Sequence, residues 1–533
     1  YDFKIDSFTS IKISINGSRT EAKSSTFYLA ESLTEEGRPV NGSERLLNSE
    51  GIKQNFSSTI LLRKRFKKVG RTISFNFDPS YMENKTDGFL RSENEFYNAS
   101  GAVFRRDSVD QQKQNSLSGT ALVTKFAYTE PLSKKIFLEL NYSYRLSNNE
   151  AFRNSFNKGT NGKYEVRDSV FSNDYKFRFN TNSAGASIKI NGKKAVFSAG
   201  GNVGFSDFKQ TDLRKDSTYK YSYVNLFPKA SIRYNFGPQR RISLNYNGNT
   251  RQPTLEQIQP IRENSDPLNI QEGNKDLKQE FRHSFSMNFN DYKVLTSRNL
   301  YLSTNFSFTQ NAISNSTVVD SVGARISRFV NVSGNYNGGL WGGYWAQIKK
   351  WNLNLGLNVG MNVSKYKNFV NGLENVNDNT SGNVSVSFSK NKENKYEIYV
   401  RPGISYNWSK SSLRKDIKTN YWSSQSEGGF TFYLPWKLEL NSEAEINLRE
   451  KTALFDRNVN SVKLNSYLAK KFMKGNAGEV RFSIFDMLNQ NIGLERNANS
   501  NFISENRYNT VQRYWLLSFT WSFNHNAAGS IPK

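Results

Sequence analysis

Apolar and polar side chains alternate along several stretches of the chain. In 136–146 (IFLELNYSYRL) every second side chain is apolar or aromatic, and in 351–363 the intervening positions are Asn or Gly. The alternation recurs in 242–248, in 300–308 and, with an interruption at Ser442, in 438–448. Such a pattern predicts β-strands with one apolar and one polar face. Runs of this length are nearer the roughly 9–11 residues of a membrane-crossing strand than the roughly 5–6 of a typical strand in a soluble sheet.

The connections between these runs alternate in length. Short turns are predicted at 67–70, 130–133, 191–194, 236–239, 434–436 and 474–476. Long loops are predicted at 18–51, 83–115, 149–174, 249–278 and 489–510. Short periplasmic turns and long extracellular loops are typical of outer-membrane barrels, which have an even number of strands. We therefore expect an all-β fold, a large closed antiparallel transmembrane β-barrel of about 20–22 strands that occupies residues 1–533 as one domain.

The first and last runs support this topology. The run 8–15 leads into a long loop and the run 514–523 returns from one, so both are expected to end on the periplasmic side. The last run carries an aromatic face that would suit a closing strand, with its rings at the membrane interface. The alternative, a soluble propeller or solenoid, would have shorter strands and connections of even length.

Composition excludes most catalytic and metal chemistry. The chain of 533 residues has no Cys and two His, so thiolate sites are absent and a histidine-built site is not expected. The aromatic content of 14% argues against disorder. No apolar run approaches the roughly 18 residues of a membrane-spanning helix. We expect no enzymatic activity, no metal and no cofactor.

The formal charge of +26 is distributed in pairs of cations beside the short turns. The pairs are Lys67-Lys68, Lys134-Lys135, Lys193-Lys194, Arg240-Arg241, Lys349-Lys350 and Lys470-Lys471. A periplasmic ring of cations would bind anionic lipid head groups, which we favour, or an acidic protein partner. Nucleic acid is not expected, because the positive charge does not form one patch.

A second group of charges is predicted inside the barrel. On the polar face of 438–448 lie Glu439, Glu443 and Glu445, and the next strands add Lys463 and Arg481. An ion-paired lumen that makes a wide barrel rigid is the favoured interpretation, and a contact with cargo or a plug is the alternative. His283 is placed on the polar face of 281–289 as an ordinary wall residue, and His525 in a solvated tail. A Ser–His membrane hydrolase would need an orienting partner that nothing identifies.

The segment 250–280 carries a family resemblance. It contains Arg251-Gln252-Pro253 after one strand and, before the next, GNKDLKQE at 273–280. These elements resemble the Arg-x-Pro and Gly-Asn-Pro-x-Leu-Lys-Pro-Glu elements of the Bacteroidota-type outer-membrane β-barrel family, a branch of the TonB-dependent receptors, with Lys275 and Gln279 in place of two prolines. The motif positions are Arg251, Pro253, Gly273, Asn274, Leu277, Lys278 and Glu280. The closing segments 482–491 and 512–515 are also similar to this family.

The loop around these motifs is expected to be ordered. Pro253, Pro260 and Pro267 restrict its backbone, and Arg251, Glu256 and Arg262 could tie it to the wall. We favour an architectural role for this loop, in which it packs against the barrel without touching cargo.

The resemblance implies a function and partners. It implies an integral bacterial outer-membrane receptor-like transporter that takes up a large nutrient, namely a glycan, a peptide or a chelated metal. Relatives have a plug and a TonB-contacting segment, which we do not find within 1–533. The expected partners are outer-membrane lipid and lipopolysaccharide, TonB through such a plug, and a surface lipoprotein or other outer-membrane proteins. The alternative is a structural subunit of a multi-protein outer-membrane complex that does not transport.

Four tripeptides are similar to the Asp-Ser/Thr-x acceptor of O-glycosylation in the same bacterial group. Their serines, all in predicted long loops, are Ser108, Ser169, Ser217 and Ser321. We expect intact-mass measurement of the chain from native membranes to show added glycan mass that maps to these peptides. Unmodified peptides at all four sites would contradict this expectation.

Overall fold

The computed structural model describes residues 1–523 apart from 35, 259–265, 267, 321–322, 416–419, 452–459 and 499–502. Strands dominate these residues. In chain order they are β1 (Asp2–Lys4), β2 (Thr9–Leu33), β3 (Pro39–Arg65), β4 (Thr72–Tyr97), β5 (Val103–Pro131), β6 (Ile136–Lys158), β7 (Tyr164–Arg167), β8 (Asn173–Asn191), β9 (Ala195–Asp212), β10 (Ser217–Gly237), β11 (Arg240–Arg251), β12 (Asn269–Glu272), β13 (Glu280–Lys293), β14 (Arg298–Gln310), β15 (Ala312–Val319), β16 (Arg325–Val332), β17 (Asn335–Ile348), β18 (Leu353–Val370), β19 (Leu373–Lys392), β20 (Tyr396–Arg401), β21 (Gly403–Ser411), β22 (Tyr421–Leu434), β23 (Leu438–Arg449), β24 (Ser461–Phe472), β25 (Gly478–Phe485), β26 (Gly493–Ala498), β27 (Ile503–Tyr508) and β28 (Tyr514–Trp521).

Short helical turns complete the inventory. They are the α-helical turn α1 (Leu255–Ile258) and four 3₁₀ turns, at Val294–Thr296, Lys349–Trp351, Pro435–Lys437 and Lys474–Asn476. No helix in the described part of the chain is long and apolar enough to cross a membrane.

One sheet contains 26 of the strands, and β26 and β27 form a separate hairpin. The wall strands follow one another in chain order, each antiparallel to the next, and β20 and β21 share one position on either side of Pro402, which has no backbone N–H to donate. The twenty wall positions are β2, β3, β4, β5, β6, β8, β9, β10, β11, β13, β14, β17, β18, β19, β20 with β21, β22, β23, β24, β25 and β28. The predicted all-β antiparallel wall is confirmed.

The two faces of the wall differ in chemistry, as the alternation predicts. On one face Phe285 lies opposite Tyr246 on β11 and Phe306 on β14, and its side chain is 43% exposed in the isolated chain. On the other face Asn245 donates a hydrogen bond to Ser286 at 3.3 Å, and Ser303 donates one to Asn288 at 2.8 Å. The apolar face therefore faces lipid and the amide- and hydroxyl-lined face lines the lumen.

The predicted short turns are confirmed, but the predicted long loops 18–51 and 83–115 are wrong. Most of a third, 149–174, is also strand, because β6 ends only at Lys158 and β7 lies within it. Strands β2 to β5 are 25–29 residues long, and the connections that join them on the extracellular side are only 34–38 and 98–102. Most of 18–51 and 83–115 is therefore paired strand. Above the membrane both faces of a strand contact water, so the sequence there has no alternation to identify it. Long connections between wall strands are found at 252–279 and 486–513, where they were predicted, and the described part of the second includes the β26–β27 hairpin.

Strand β1 was not predicted. Phe3 pairs with Ile11 in an antiparallel ladder, so β1 and the first part of β2 form a hairpin around residues 5–8. Within the described residues no ladder joins β28 to β1 or β2. Closure of the barrel therefore stays a prediction.

His283 was assigned to the wrong face. It lies on the same face as Phe285, its ring stacks on Phe308 with 4.3 Å between centroids, and its Nδ1 is 3.1 Å from the Tyr246 hydroxyl. The alternating Phe281 and Phe285 had been counted with the polar phase, but these aromatic residues belong to the lipid-facing band. His283 is thus a wall residue, as expected, and His525 lies outside the described residues.

The assignment of faces makes a prediction for β18. Leu357 is 44% exposed on the lipid face, and its neighbour Asn358 points into the lumen. We expect Leu357→Arg to lower the free energy of unfolding from lipid bilayers by about 2–4 kcal/mol, because a cation near the bilayer midplane is poorly solvated. The matched Asn358→Arg should change it by less than about 1 kcal/mol. Urea titration in liposomes measures both, and equal effects would show that the register is displaced by one residue.

Candidate functional site

The motif loop begins and ends on a pair of facing residues. Arg251 ends β11 and lies directly opposite Glu280, the first residue of β13. Their side chains are 3.9 Å apart, and Glu280, which is 13% exposed, also accepts a hydrogen bond from the backbone N–H of Ile313 at 2.5 Å. Glu280 therefore joins the end of β11, the start of β13 and the start of β15.

A buried asparagine on β10 joins the two ends of the loop. The Oδ1 of Asn225 accepts hydrogen bonds from Gln252 at 3.4 Å and from Gln279 at 3.0 Å. Its Nδ2 donates to Ser206 at 2.7 Å. Gln279 occupies a motif position where the resembled family has proline, and here its side chain supplies an interaction that proline could not make.

The interior of the loop is built on one helical turn. Pro253 is half-buried and precedes this turn, in which Thr254 N–H donates to Gln257 Oε1 at 2.8 Å and Gln257 N–H donates back to the Thr254 carbonyl at 3.1 Å. The side chains of Ile258, Leu268 and Leu277 are almost fully buried. Of the other residues expected to order the loop or tie it to the wall, Pro260, Arg262, Pro267 and the side chain of Glu256 lie outside the described residues.

The loop is attached to a second extracellular segment. Strand β12 pairs in parallel with β16, and two asparagines bridge the segments. Asn274, which follows Gly273, donates to the Phe329 carbonyl at 2.8 Å, and Asn331 accepts from the Lys278 backbone N–H at 2.7 Å. The loop and the β15–β16 hairpin are thus one layer. We call its described residues, within 252–279 and 312–332, the strap.

The strap reaches the opposite wall. The strap leaves the wall between β11 and β17. Its residue Asp266 nevertheless contacts β3, where its Oδ1 lies 3.0 Å from Nη1 of Arg45. Of the twenty wall positions in the described residues, β3 lies nine positions before β14, which is about halfway round the wall. Arg45 is 14% exposed, and its guanidinium lies 4.6 Å from the ring centroid of Tyr28. At the hairpin tip, Gly323 packs so closely on Asn41 that an added Cβ would lie 2.6 Å from its Nδ2. The strap therefore crosses the extracellular mouth.

A second cation near Asp266, that of Arg325, is partly removed from water. Burial lowers the pKa of Arg325 on the extracellular strand β16, and the nearby carboxylate of Asp266 opposes that shift. Sequence reasoning missed Arg45, Asp266, Asn225 and Asn331. Nothing local distinguishes these residues, because each acts on a segment far away in the chain.

The predicted lumen charges do not form one cluster. Glu439 is buried on β23, where it accepts hydrogen bonds from the Tyr467 hydroxyl at 2.6 Å and from Lys471 Nζ at 2.7 Å. The Arg481 guanidinium lies 4.1 Å from the Tyr467 ring centroid and bonds Glu479 at 2.9 Å. Lys471, which was predicted only as a cation beside a short turn, and Glu479, which was not predicted, therefore complete this group at the periplasmic end.

The other three predicted charges lie apart from this group. Glu445 is directly opposite Lys463 in the ladder, but it accepts a hydrogen bond from Asn447 at 2.8 Å. Glu443 accepts one from Asn441 at 3.5 Å. In the described part of the chain no ion pair joins Lys463 to either glutamate, because the residues meet across the ladder without their charged atoms coming within 4.0 Å.

An aromatic pair lies flat on the lumen wall. Trp345 on β17 stacks on Tyr301 on β14, with 5.1 Å between centroids and 14° between planes. Gly343 and Gly356 make this possible, because a Cβ at either position would clash with these rings. The pair leaves a flat apolar surface among asparagine and serine side chains.

The proposed modification sites differ in their surroundings. Ser169 is exposed in a turn in which Asp168 accepts a hydrogen bond from the Val170 N–H at 3.0 Å. Ser108 is exposed but lies within β5, so its assignment to a loop is wrong. Ser217 is half-buried at the start of β10, and Ser321 lies outside the described residues. Modification stays a prediction at all four.

No group of three or more potential metal-ligating side chains occurs among the described residues. What the geometry provides is a mouth crossed by a polar strap and a lumen lined by amides, hydroxyls and one aromatic surface.

The Glu439 group makes a prediction about stability. Glu439→Gln should lower the free energy of unfolding by about 1.5–3 kcal/mol, because a charge-assisted bond to Lys471 is lost in a buried position. Glu443→Gln is the matched control on the same face and should change it by less than about 0.5 kcal/mol. Urea unfolding in detergent micelles measures the difference, and equal losses for the two variants would contradict this account of the cluster.

Comparison with known proteins places the chain in a family. No curated protein matches the sequence. The structure is similar to the FrpB iron transporter from Neisseria meningitidis (11% identity, TM-score 0.40, covering 97% of this chain and 82% of that chain). It is also similar to the siderophore receptor PirA from Pseudomonas aeruginosa (11% identity, TM-score 0.40, 97% and 80%) and to the Serratia marcescens hemophore receptor HasR (9% identity, TM-score 0.44, 97% and 76%).

The sequence itself gives the assignment. Residues 64–400, more than half of the chain, match the outer membrane protein β-barrel family, and the match includes the motif loop and the wall from the end of β3 to β20. The outer-membrane location follows from this membership and from the lipid-facing wall. The chain belongs to the outer membrane protein β-barrel family.

Proposed function

We propose that this chain forms the wall of a TonB-dependent receptor-like transporter that imports a nutrient too large for porins, namely a glycan, a peptide or a chelated metal. The observation that carries the proposal is the strap, an ordered extracellular layer that crosses the mouth. A purely structural barrel has no need for such a layer above its lumen, whereas a transporter uses one to admit cargo selectively.

The strap has the properties of a gate. On the side where it leaves the wall it is held by side-chain amides, including the buried Asn225 and the half-buried Asn331. On the far side the attachment includes one ion pair between Arg45 and Asp266. A layer held on one side by amide hydrogen bonds and on the other by an ion pair can open by releasing the ion pair while the amide side remains fixed.

The lumen suits a polar cargo. Asparagine, serine and glycine line β14, β17 and β18, and the Trp345–Tyr301 pair offers a face on which a sugar ring or another flat group can stack. In this proposal energy comes from TonB through a plug, as the resemblance of 250–280 implies, and the chain performs no catalysis.

One observation favours the alternative, a structural subunit of a larger outer-membrane complex. The extracellular part of β2 exposes the apolar side chains of Phe27, Leu29 and Leu33, which are 53–73% accessible. Exposed apolar side chains grouped in this way are typical of protein–protein contacts. A surface lipoprotein or another outer-membrane protein would cover them.

Uptake by whole cells tests the proposal. A deletion strain complemented with the full-length gene is given defined glycans, peptides and chelated iron, with and without depletion of TonB. We expect uptake of one class to require both the gene and TonB. Arg45→Gln should lower the half-saturating concentration about tenfold, because the ion pair that holds the strap on β3, worth about 1.5 kcal/mol, no longer opposes opening.

The control variant is Arg38→Gln, whose ion pair with Glu36 is exposed at the tip of the β2–β3 hairpin. It should take up cargo like the native protein. Unchanged uptake of every class in the deletion strain, together with co-purification of the chain in a stoichiometric complex with other outer-membrane proteins, would establish the structural alternative instead.

A further inference from the structure

Four neighbouring periplasmic turns contain or adjoin positive charge without any negative charge. These turns are 66–71, 132–135, 192–194 and 238–239, and each contains or directly precedes two adjacent cations. We call their cationic side chains the basic arc, which consists of Lys67, Lys68, Arg71, Lys134, Lys135, Lys193, Lys194, Arg240 and Arg241.

The turns are neighbours in space as well as in sequence. The Lys135 carbonyl accepts a hydrogen bond from the Asn191 N–H at 2.7 Å, and the Lys194 carbonyl accepts one from the Asn235 N–H at 2.8 Å. Consecutive turns are two strand spacings apart, which is about 10 Å. This distance is comparable to the Debye length at physiological salt, so the arc acts as one band of positive potential.

Few carboxylates neutralise the basic arc. Glu130 accepts hydrogen bonds from Lys68 at 2.6 Å and from Arg71 at 2.7 Å, which fixes these two side chains at the lipid-facing rim. Within the described residues no ion pair involves the exposed lysines of the remaining turns, namely Lys134, Lys135, Lys193 and Lys194, nor Lys67. Arg240 lies over the ring of Phe236, with 5.1 Å between its Cζ and the ring centroid, and is directed to the outer surface of the wall.

The same turns expose apolar side chains beside the cations. Val69 is 92% exposed between Lys68 and Gly70, and Leu132 is 58% exposed two residues before Lys134. On the opposite side of the wall Trp436, which is 81% exposed, precedes Lys437. Apolar or aromatic tips next to lysines are typical of segments that lie at a membrane interface, where the apolar part contacts acyl chains and the ammonium reaches phosphate.

We propose that the basic arc binds the phosphate groups of anionic phospholipids in the periplasmic leaflet of the outer membrane. An acidic soluble protein would be attracted by the charge, but it would leave Val69 and Leu132 in water. A lipid surface accounts for both the cations and the apolar tips. Binding of this kind fixes the depth of the wall in the bilayer and concentrates anionic lipid on one side of the barrel.

Lipid titration followed by native mass spectrometry tests the proposal. The full chain in detergent micelles is titrated with phosphatidylglycerol and, separately, with phosphatidylethanolamine. We expect at least about tenfold tighter binding of phosphatidylglycerol, weakened by added salt, because each lysine near an anionic surface contributes about a fivefold factor. Replacing Lys67, Lys134, Lys135, Lys193 and Lys194 by Gln should abolish the preference.

A matched control variant removes the same number of positive charges from the extracellular side instead. It replaces the exposed lysines Lys163, Lys209, Lys215, Lys220 and Lys275 by Gln and should keep the preference for phosphatidylglycerol. Equal behaviour of the two variants, or no preference in the native chain, would overturn the proposal. Capture of an acidic periplasmic protein through the arc, with lipid binding unchanged by the arc variant, would also overturn it.

A second measurement leaves the charges intact. Because the chain has no cysteine, Val69→Cys and Leu132→Cys each give one thiol for an environment-sensitive fluorophore. In liposomes of the full chain we expect emission typical of the head-group region at both positions and a further blue shift when anionic lipid is added. Emission typical of bulk water at both positions would overturn the proposal even if the multiple-lysine variant does not fold.

Discussion

The structure depends on one constraint, the need to pair every backbone N–H and C=O that faces lipid. Hydrocarbon offers no partner, and each unpaired group costs several kcal/mol. The wall meets this need by pairing each strand with its chain neighbour over nearly its whole length, as β13 does with β11 on one side and β14 on the other. The same requirement makes closure between the first and last strands a firm prediction.

Once the hydrogen-bond ladder fixes the backbone, alternate side chains contact lipid on one face of the wall and water on the other. Leu357 and Phe285 stand on the lipid side, and Asn245 and Asn358 stand on the water side. Irregular backbone is then confined to the ends of the strands. The strap is the largest example, and side-chain amides such as Asn274 and Asn331 supply there the hydrogen bonds that a ladder supplies in the wall.

The sequence predicts the parts of the fold that the membrane constrains. The alternation in 351–363 became β18, and the short turns were placed within a few residues. The predictions were wrong where the chain leaves the membrane and that constraint ends. The extracellular halves of β4 and β5 were taken for a loop because water contacts both of their faces, and His283 was misplaced because its aromatic neighbours were counted with the polar phase. Periodicity identifies a face only where the two faces meet different solvents.

The candidate site was predictable only in part. The motifs at 251–253 and 273–280 located the loop, and in its described part Ile258, Leu268 and Leu277 are buried. The contact of Arg45 with Asp266 could not be predicted, because it joins distant segments and leaves no local pattern. The bond of Glu439 to Lys471 was missed for a related reason. Lys471 is on the neighbouring strand, and its contact with Glu439 depends on a register that only the structure gives.

The most direct test of this account is whether the strap reaches β3 in living cells. The double variant Arg45→Cys with Asp266→Cys introduces two thiols into a chain without cysteine, and a short thiol–thiol cross-linker is then added to intact cells. We expect an intramolecular cross-link in the double variant and in neither single variant. Efficient labelling of both thiols by a monofunctional reagent without any cross-link would show that the strap does not cross the mouth.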